Sequence, residues 1–107
     1  MKIDLRKCPW NLSEKQIQWV ENTLAKMTLD EKIGQLFCPS ISFFSPDTIK
    51  HLQELHIGSL MLRPFDADGL QENVRALQAG SKVPMLISAN LENGGCGAIN
   101  QGTNYAM

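Results

Sequence analysis

Apolar residues recur along the chain at helical spacing in some stretches and in short unbroken runs in others, and the alternation predicts the elements. Ile17, Val20, Leu24 and Met27 share one helical face, with Glu14, Lys15, Gln18 and Glu21 left to water. This spacing predicts a helix from about Ser13 to Met27. Ser13 with Gln16 forms a capping box, and Leu12 and Ile17 hold the staple positions beside it. Thr28 with Glu31 opens a second, short helix through Ile33, leading into Leu36-Phe37-Cys38, which reads as a buried strand that Pro39 limits. Ser45-Pro46 is a cap followed by proline at the first helical position. Ile49, Leu52 and Leu55 form the buried stripe of that helix, and Gly58 is its expected left-handed stop. Ser59-Leu60-Met61-Leu62 reads as a strand ended by Arg63-Pro64. Asp68 with Gln71 is the expected cap of the next helix, with Leu70, Val74 and Leu77 inward and Gly80 closing it. Pro84 to Ala89 reads as a fully buried strand that runs into a glycine- and asparagine-rich loop from Asn90 to Gly102.

Strand, helix, strand, helix, strand with near-continuous apolar strands predicts an α/β fold with a parallel sheet and right-handed crossovers. Three such strands leave a sheet unfinished. No return helix is expected between the third strand and Tyr105-Ala106-Met107. The expectation is a portion of either a doubly wound sheet or a (β/α)8 TIM barrel, which runs to about 250 residues.

Composition narrows the function classes. The 107 residues carry Lys+Arg 10 against Asp+Glu 11, a formal net charge of −1, which argues against a nucleic-acid partner. No apolar stretch approaches the roughly 18 residues that span a bilayer, so no membrane partner is expected. The opening Met-Lys-Ile-Asp-Leu-Arg-Lys places charges where a signal peptide needs an apolar core, and the expected location is cytoplasmic. Cys8, Cys38 and Cys96 are odd in number and lack metal-ligand spacing, which predicts free thiols and no metal site.

In either architecture ligands bind at the carboxyl ends of the strands. Candidate chemistry there comes from Arg63, a fork for a hydroxyl or carboxylate, and from Asn90 and Glu92 where the third strand opens into its loop. The alternative is a solvated arginine at a strand end and a plain glycine turn. Gly95-x-Gly97 is followed by Asn100 where a dinucleotide fingerprint wants its third glycine, so phosphate binding is a weak reading. His51 and His56, placed on one helix five residues apart, do not share a face as an i, i+4 metal pair would. Trp10 and Trp19 are expected to pack the leading helix rather than stack a sugar. Asn11-Leu12-Ser13 matches a glycosylation sequon, which carries meaning only in a secreted chain.

Three segments in order, Met27-Thr28-Leu29-Asp30-Glu31-Lys32-Ile33-Gly34-Gln35-Leu36-Phe37, Ile57-Gly58-Ser59-Leu60-Met61-Leu62-Arg63 and Pro84 through Gly95, resemble the amino-terminal part of a family 3 glycoside hydrolase. The branch that the chain resembles most is the β-N-acetylhexosaminidases, with β-glucosidases as relatives. The similarity runs from about residue 17 to the end. It implies a leading segment and helix over residues 1–27, and over residues 28–107 an incomplete (β/α)8 catalytic domain that needs the rest of its barrel. It further implies an exo-acting, retaining hydrolase of terminal β-N-acetylhexosaminides or β-glucosides, with a carbohydrate substrate and no cofactor. The family's two catalytic carboxylates lie later in the barrel, so no residue here is assigned as catalytic and the chain alone is expected to be inactive. Substrate binding is assigned to Asn90, Glu92 and Arg63. The family's usual aspartate at the opening of this loop is Asn90 here, and Asn93 stands before the double glycine as an insertion. An amide donates and accepts but brings no charge to a sugar hydroxyl. A carbohydrate-binding homologue that lost turnover is the alternative.

Overall fold

Residues 3–105 are described by a computed structural model; Met1, Lys2, Ala106 and Met107 lie outside the described residues. The expectation of no return helix therefore falls partly beyond them. The elements are α1 (Glu14–Lys26), α2 (Leu29–Gly34), β1 (Ser40–Ile41), α3 (Pro46–Glu54), β2 (Ser59–Leu62), α4 (Ala67–Ala79), β3 (Leu86–Ala89) and a short 3-10 turn at Gly95–Gly97. The sheet is parallel, in the order β1-β2-β3.

The predicted caps of the first three helices are present. Ser13 Oγ accepts from the Gln16 N–H while Gln16 Oε1 accepts from the Ser13 N–H. Thr28 and Glu31 repeat the arrangement, and Ser45 Oγ accepts from the Thr48 N–H with Pro46 in the first turn. The cap of α4 is Asp66 rather than Asp68: its carboxylate accepts from the Gly69 N–H, and Asp68 sits inside the first turn. Asp66 has extended backbone, as a capping residue needs, whereas Asp68 is already helical.

The first strand lies further along than expected. Leu36 and Phe37 N–H groups still bond back to Ile33 and Gly34, so the helical turn continues past α2. The ladder with β2 then begins at the carbonyls of Phe37 and Pro39, which accept from Ser59 and Met61. Leu36 is 85% exposed and Phe37 58%, so this segment is not buried. Pro39 sits within the ladder rather than limiting it. Its carbonyl serves β2, but proline brings no N–H to that side, so the ladder is one donor short there and the regular pairing starts at Ser40.

Gly80 closes α4 as expected, whereas Gly58 acts otherwise than predicted. The left-handed residue after α3 is His56 (φ 52), not Gly58, because α3 ends at Glu54. His56 accordingly lies beyond the helix that carries His51. Gly58 is required by close approach: a Cβ there would collide with the carbonyl oxygen and Cα of Gln35. Gly80 has φ −91 and lies against the Gln53 carboxamide, which donates to the Ala76 and Leu77 carbonyls and so caps α4 from α3.

The core occupies one face of the sheet. Leu52 of α3, Leu77 of α4, Leu60 and Leu62 of β2, Ile57 and Met85 are buried together, with Ile41, Ile87 and Ala89 packed against them. Both crossover helices therefore cover the same face. The other face carries Ser40, Ser59, Met61, Leu86 and Ser88, paired across the strands by register. Nothing covers Leu86, which is 75% exposed, so β3 alternates and is not the fully buried strand expected. Leu55 of the predicted stripe, Leu24, Trp10 and Trp19 are also about half exposed. The solvent-accessible surface is 7870 Å², where a compact monomer of this mass would have about 6,000 Å². The radius of gyration is 16.4 Å, against about 13 Å for a compact chain of this length. The sheet has a finished side and an open side.

Candidate functional site

The three strand carboxyl ends converge at one edge of the sheet. Leu62 pairs with Ala89, so Arg63 and Asn90 occupy the next register position on adjacent strands. The Arg63 N–H donates to Ile41 O at 3.1 Å, fixing the β2 end to β1. Its side chain reaches back over the open face, where Nε donates to Ser40 Oγ at 3.2 Å. Asn90 follows Leu86 and Ser88 in the alternation of β3, the parity of the open face. Arg63, Asn90 and Glu92 are all exposed. The structure thus brings Arg63 and Asn90 to neighbouring positions and leaves Glu92 one turn further out.

The loop after β3 is a closed and anchored unit. The Gly94 N–H donates to Leu91 O at 2.9 Å, the Tyr105 N–H to Asn93 O at 2.8 Å and the Cys96 N–H to Thr103 O at 3.3 Å. Gly94, at φ 98, adopts a conformation that side-chain-bearing residues rarely take, and it packs against Thr103 and the Tyr105 ring. The loop passes directly over the carboxyl end of β3, since a Cβ on Gly97 would overlap the carbonyl of Asn90. It also docks on the segment after β2. Phe65 N–H donates to Ala98 O at 3.1 Å and Asn100 N–H to Phe65 O at 2.7 Å, forming a parallel bridge between Phe65 and Ile99.

A polar latch completes the docking. Gln101 Nε2 donates to Asp66 Oδ1 at 2.7 Å, while Gln101 Oε1 accepts from the Ala67 N–H at 3.3 Å. The Gly69 N–H first, then Gln101, holds the Asp66 carboxyl below the usual carboxylate range. Sequence reading missed this latch, because the partners lie 35 residues apart; the one available signal was Asp66 standing three residues before Gly69. The Cys96 thiol lies within the loop, 3.4 Å from Asn93 O and 3.5 Å from Asn104 Oδ1. All three cysteines are free thiols, with Cys8 and Cys38 exposed. Among the described residues, no three His, Cys, Asp or Glu side chains gather as metal ligands, and no helix is long and apolar enough to cross a membrane.

A groove of about 570 Å³ lies at the other end of the sheet, between Ile33, Phe37, Pro39, Leu55 and Ile57. Its apolar lining suits covering protein rather than a sugar, and it is remote in the fold from Asn90.

A β-N-acetylglucosaminidase/β-glucosidase of Cellulomonas fimi is 42% identical to the chain over 103 residues, which is 95% of this chain and 18% of that protein. The chain thus spans less than a fifth of the length of the curated relative it matches, and over that stretch it is related to a glycoside hydrolase. No protein-family model and no solved structure matches it.

Proposed function

We propose that this chain is the amino-terminal part of the (β/α)8 barrel of a family 3 glycoside hydrolase that removes terminal β-linked N-acetylhexosamine or glucose with retention. The observation that carries this reading is the 42% identity across 95% of the chain to a β-N-acetylglucosaminidase/β-glucosidase. The topology supports it. Consecutive parallel strands in the order β1-β2-β3, with both crossover helices on one face, suit a barrel segment, whereas a doubly wound sheet puts helices on both faces. The open face, with Ser40, Ser59, Met61 and Ser88, would then point into the barrel.

In this reading Asn90 and Arg63 stand at the barrel mouth and hydrogen-bond sugar hydroxyls, with Glu92 reaching in from the loop. The nucleophile and the acid/base come from the remainder of the parent protein. Asp30 and Glu31 are in α2 at the opposite end of the sheet, and Asp66 is committed to its cap and to Gln101. A carbohydrate-binding homologue without turnover is the second reading, favoured by Asn90 in place of a charged acceptor.

The test uses aryl β-N-acetylglucosaminide and aryl β-glucoside. The 107-residue chain alone is expected to show no turnover, and to lack a sharp, reversible thermal transition, because β1 and β3 are both open edges. The parent protein is expected to hydrolyse at least one substrate. Turnover by the chain itself that survives repurification would overturn the fragment reading. Sugar binding by the parent without hydrolysis would select the second.

A further inference from the structure

We propose that Asn93–Gly94 is a site of spontaneous covalent modification, at which Asn93 deamidates through a succinimide and thereby unfastens the loop that carries Asn90 and Glu92. Of the seven asparagines, Asn93 alone precedes a glycine; the others precede Leu12, Thr23, Val74, Leu91, Gln101 and Tyr105. A Cβ on the following residue crowds the approach of its backbone nitrogen to the asparagine side chain, and glycine has none. The structure adds a second observation. Asn93 Oδ1 is buried and has no hydrogen-bond partner, alone in this among the buried side-chain atoms of the described residues. No hydrogen bond therefore holds the carboxamide carbonyl in place. The attacking atom, Gly94 N, belongs to the turn closed by its 2.9 Å bond to Leu91 O, so the reaction proceeds when that bond opens.

The chemistry needs only water. Gly94 N loses its proton and bonds to Asn93 Cγ, the Cγ–Nδ2 bond breaks, and ammonia leaves. Water then opens the ring at Cγ to give aspartate, or at the backbone carbonyl to give isoaspartate, whose main chain runs through the former side chain. Both products disturb the loop. Aspartate places a carboxylate where Oδ1 finds no donor, and a buried charge without partners is costly. Isoaspartate lengthens the main chain by one methylene beside Gly94, which is already packed against Thr103 and Tyr105. The Tyr105 N–H bond to Asn93 O is lost with that shift.

The experiment incubates the folded parent protein for several weeks in mildly alkaline buffer at physiological temperature, with residues 1–107 then followed by peptide mapping with fragment-ion assignment and isoaspartyl-methyltransferase labelling. The expected result is a gain of one mass unit at Asn93 ahead of every other asparagine, split between two isomers of which one is methylated. The parent protein carrying Asn93→Gln is expected to show neither change there, because glutamine would have to close a larger ring. An intact Asn93 at the end of the incubation, or earlier modification of another asparagine, would overturn the proposal. Neither result depends on glycosidase activity, so the functional reading stands or falls separately.

Discussion

At the amino-terminal end of the sheet, Gly34 and Gly58 sit where any Cβ would strike the backbone of the neighbouring segment. At the carboxyl-terminal end, Arg63, Asn90 and Glu92 stand exposed. The first end is interlocked: Gln35 Nε2 donates to His56 O at 2.8 Å, and Lys82 Nζ meets Glu31 Oε1 at 2.8 Å across 51 residues. The second end holds its loop by hydrogen bonds at a distance from the exposed polar groups, through Phe65, Asp66 and Gln101. Rigid packing at one end and free polar side chains at the other is what a parallel α/β scaffold needs to present a ligand site on loops held by fixed strands. On the proposed reading, stability belongs to one end and recognition to the other, a division that substitutions moving the wrong quantity would break.

The largest effect belongs to the covered face. Leu60 is fully buried between both crossover helices, so Leu60→Ala is expected to destabilise the parent protein by about 3–4 kcal/mol, from lost burial and the cavity left behind. Urea denaturation measures it. Gly58→Ala adds one methyl against the Gln35 backbone, which cannot rotate aside, and is expected to cost about 2–3 kcal/mol. A neutral Gly58→Ala would show that α2 is not locked onto the start of β2.

Recognition should behave oppositely. Asn90→Ala removes an exposed carboxamide at a strand end and is expected to leave the urea midpoint unchanged. If the amide bonds a sugar hydroxyl, it lowers kcat/KM of the parent by about 5- to 150-fold, the equivalent of roughly 1–3 kcal/mol. Asn90→Asp supplies a charged acceptor and is expected to retain activity, with altered preference between N-acetylglucosaminide and glucoside. Unchanged kcat/KM in a stable Asn90→Ala protein would reduce the loop to a turn.

Local signals in the sequence were read correctly where a short-range contact decides the structure. The boxes at Ser13 and Thr28 and the Ser45-Pro46 start are settled within four residues, and the strand-helix alternation follows from them. The cap of α4, expected at Asp68 and found at Asp66, is a local error, since Asp66 and Gly69 are three residues apart; the other errors fall where distant segments decide. Leu36-Phe37-Cys38 is apolar enough for a buried strand, but the turn after α2 runs through Phe37 and only then meets β2. Gly58 has the composition of a helix stop, yet its reason is Gln35, 23 positions earlier in the sequence. Leu86 reads as buried because an apolar run carries no information on whether the second face is covered. For the site, the positions of Arg63 and Asn90 were legible from strand ends alone, whereas the Asp66–Gln101 latch was not.

The smallest expected effect tests whether the amino-terminal end owes anything to charge. Glu31 caps α2 through the Thr28 N–H and meets Lys82, with only 12% of its side chain exposed. Lys82 first, then the Thr28 N–H, holds its carboxyl below the usual range. A depressed pKa in the folded state means that the charged form is favoured by folding. The stabilisation is therefore complete above the unfolded value, about 4.3 for glutamate, and is lost as pH falls through the lower folded value. Glu31→Gln keeps an acceptor for the Thr28 N–H and removes the charge, so it isolates the pair with Lys82. The urea midpoint of the Gln variant should lie below that of the parent at neutral pH and converge with it in acid. Glu14 gives the contrast, since its bidentate pair with Arg6 also lowers its pKa but leaves the two side chains 75% and 59% exposed. Solvent and salt screen such a pair, so Glu14→Gln should show a smaller gap at neutral pH, and added salt should close it first. Equal gaps for the two variants would mean that the Lys82 contact adds nothing beyond an ordinary surface pair, and that the amino-terminal end is held by glycine packing and the Gln35–His56 hydrogen bond.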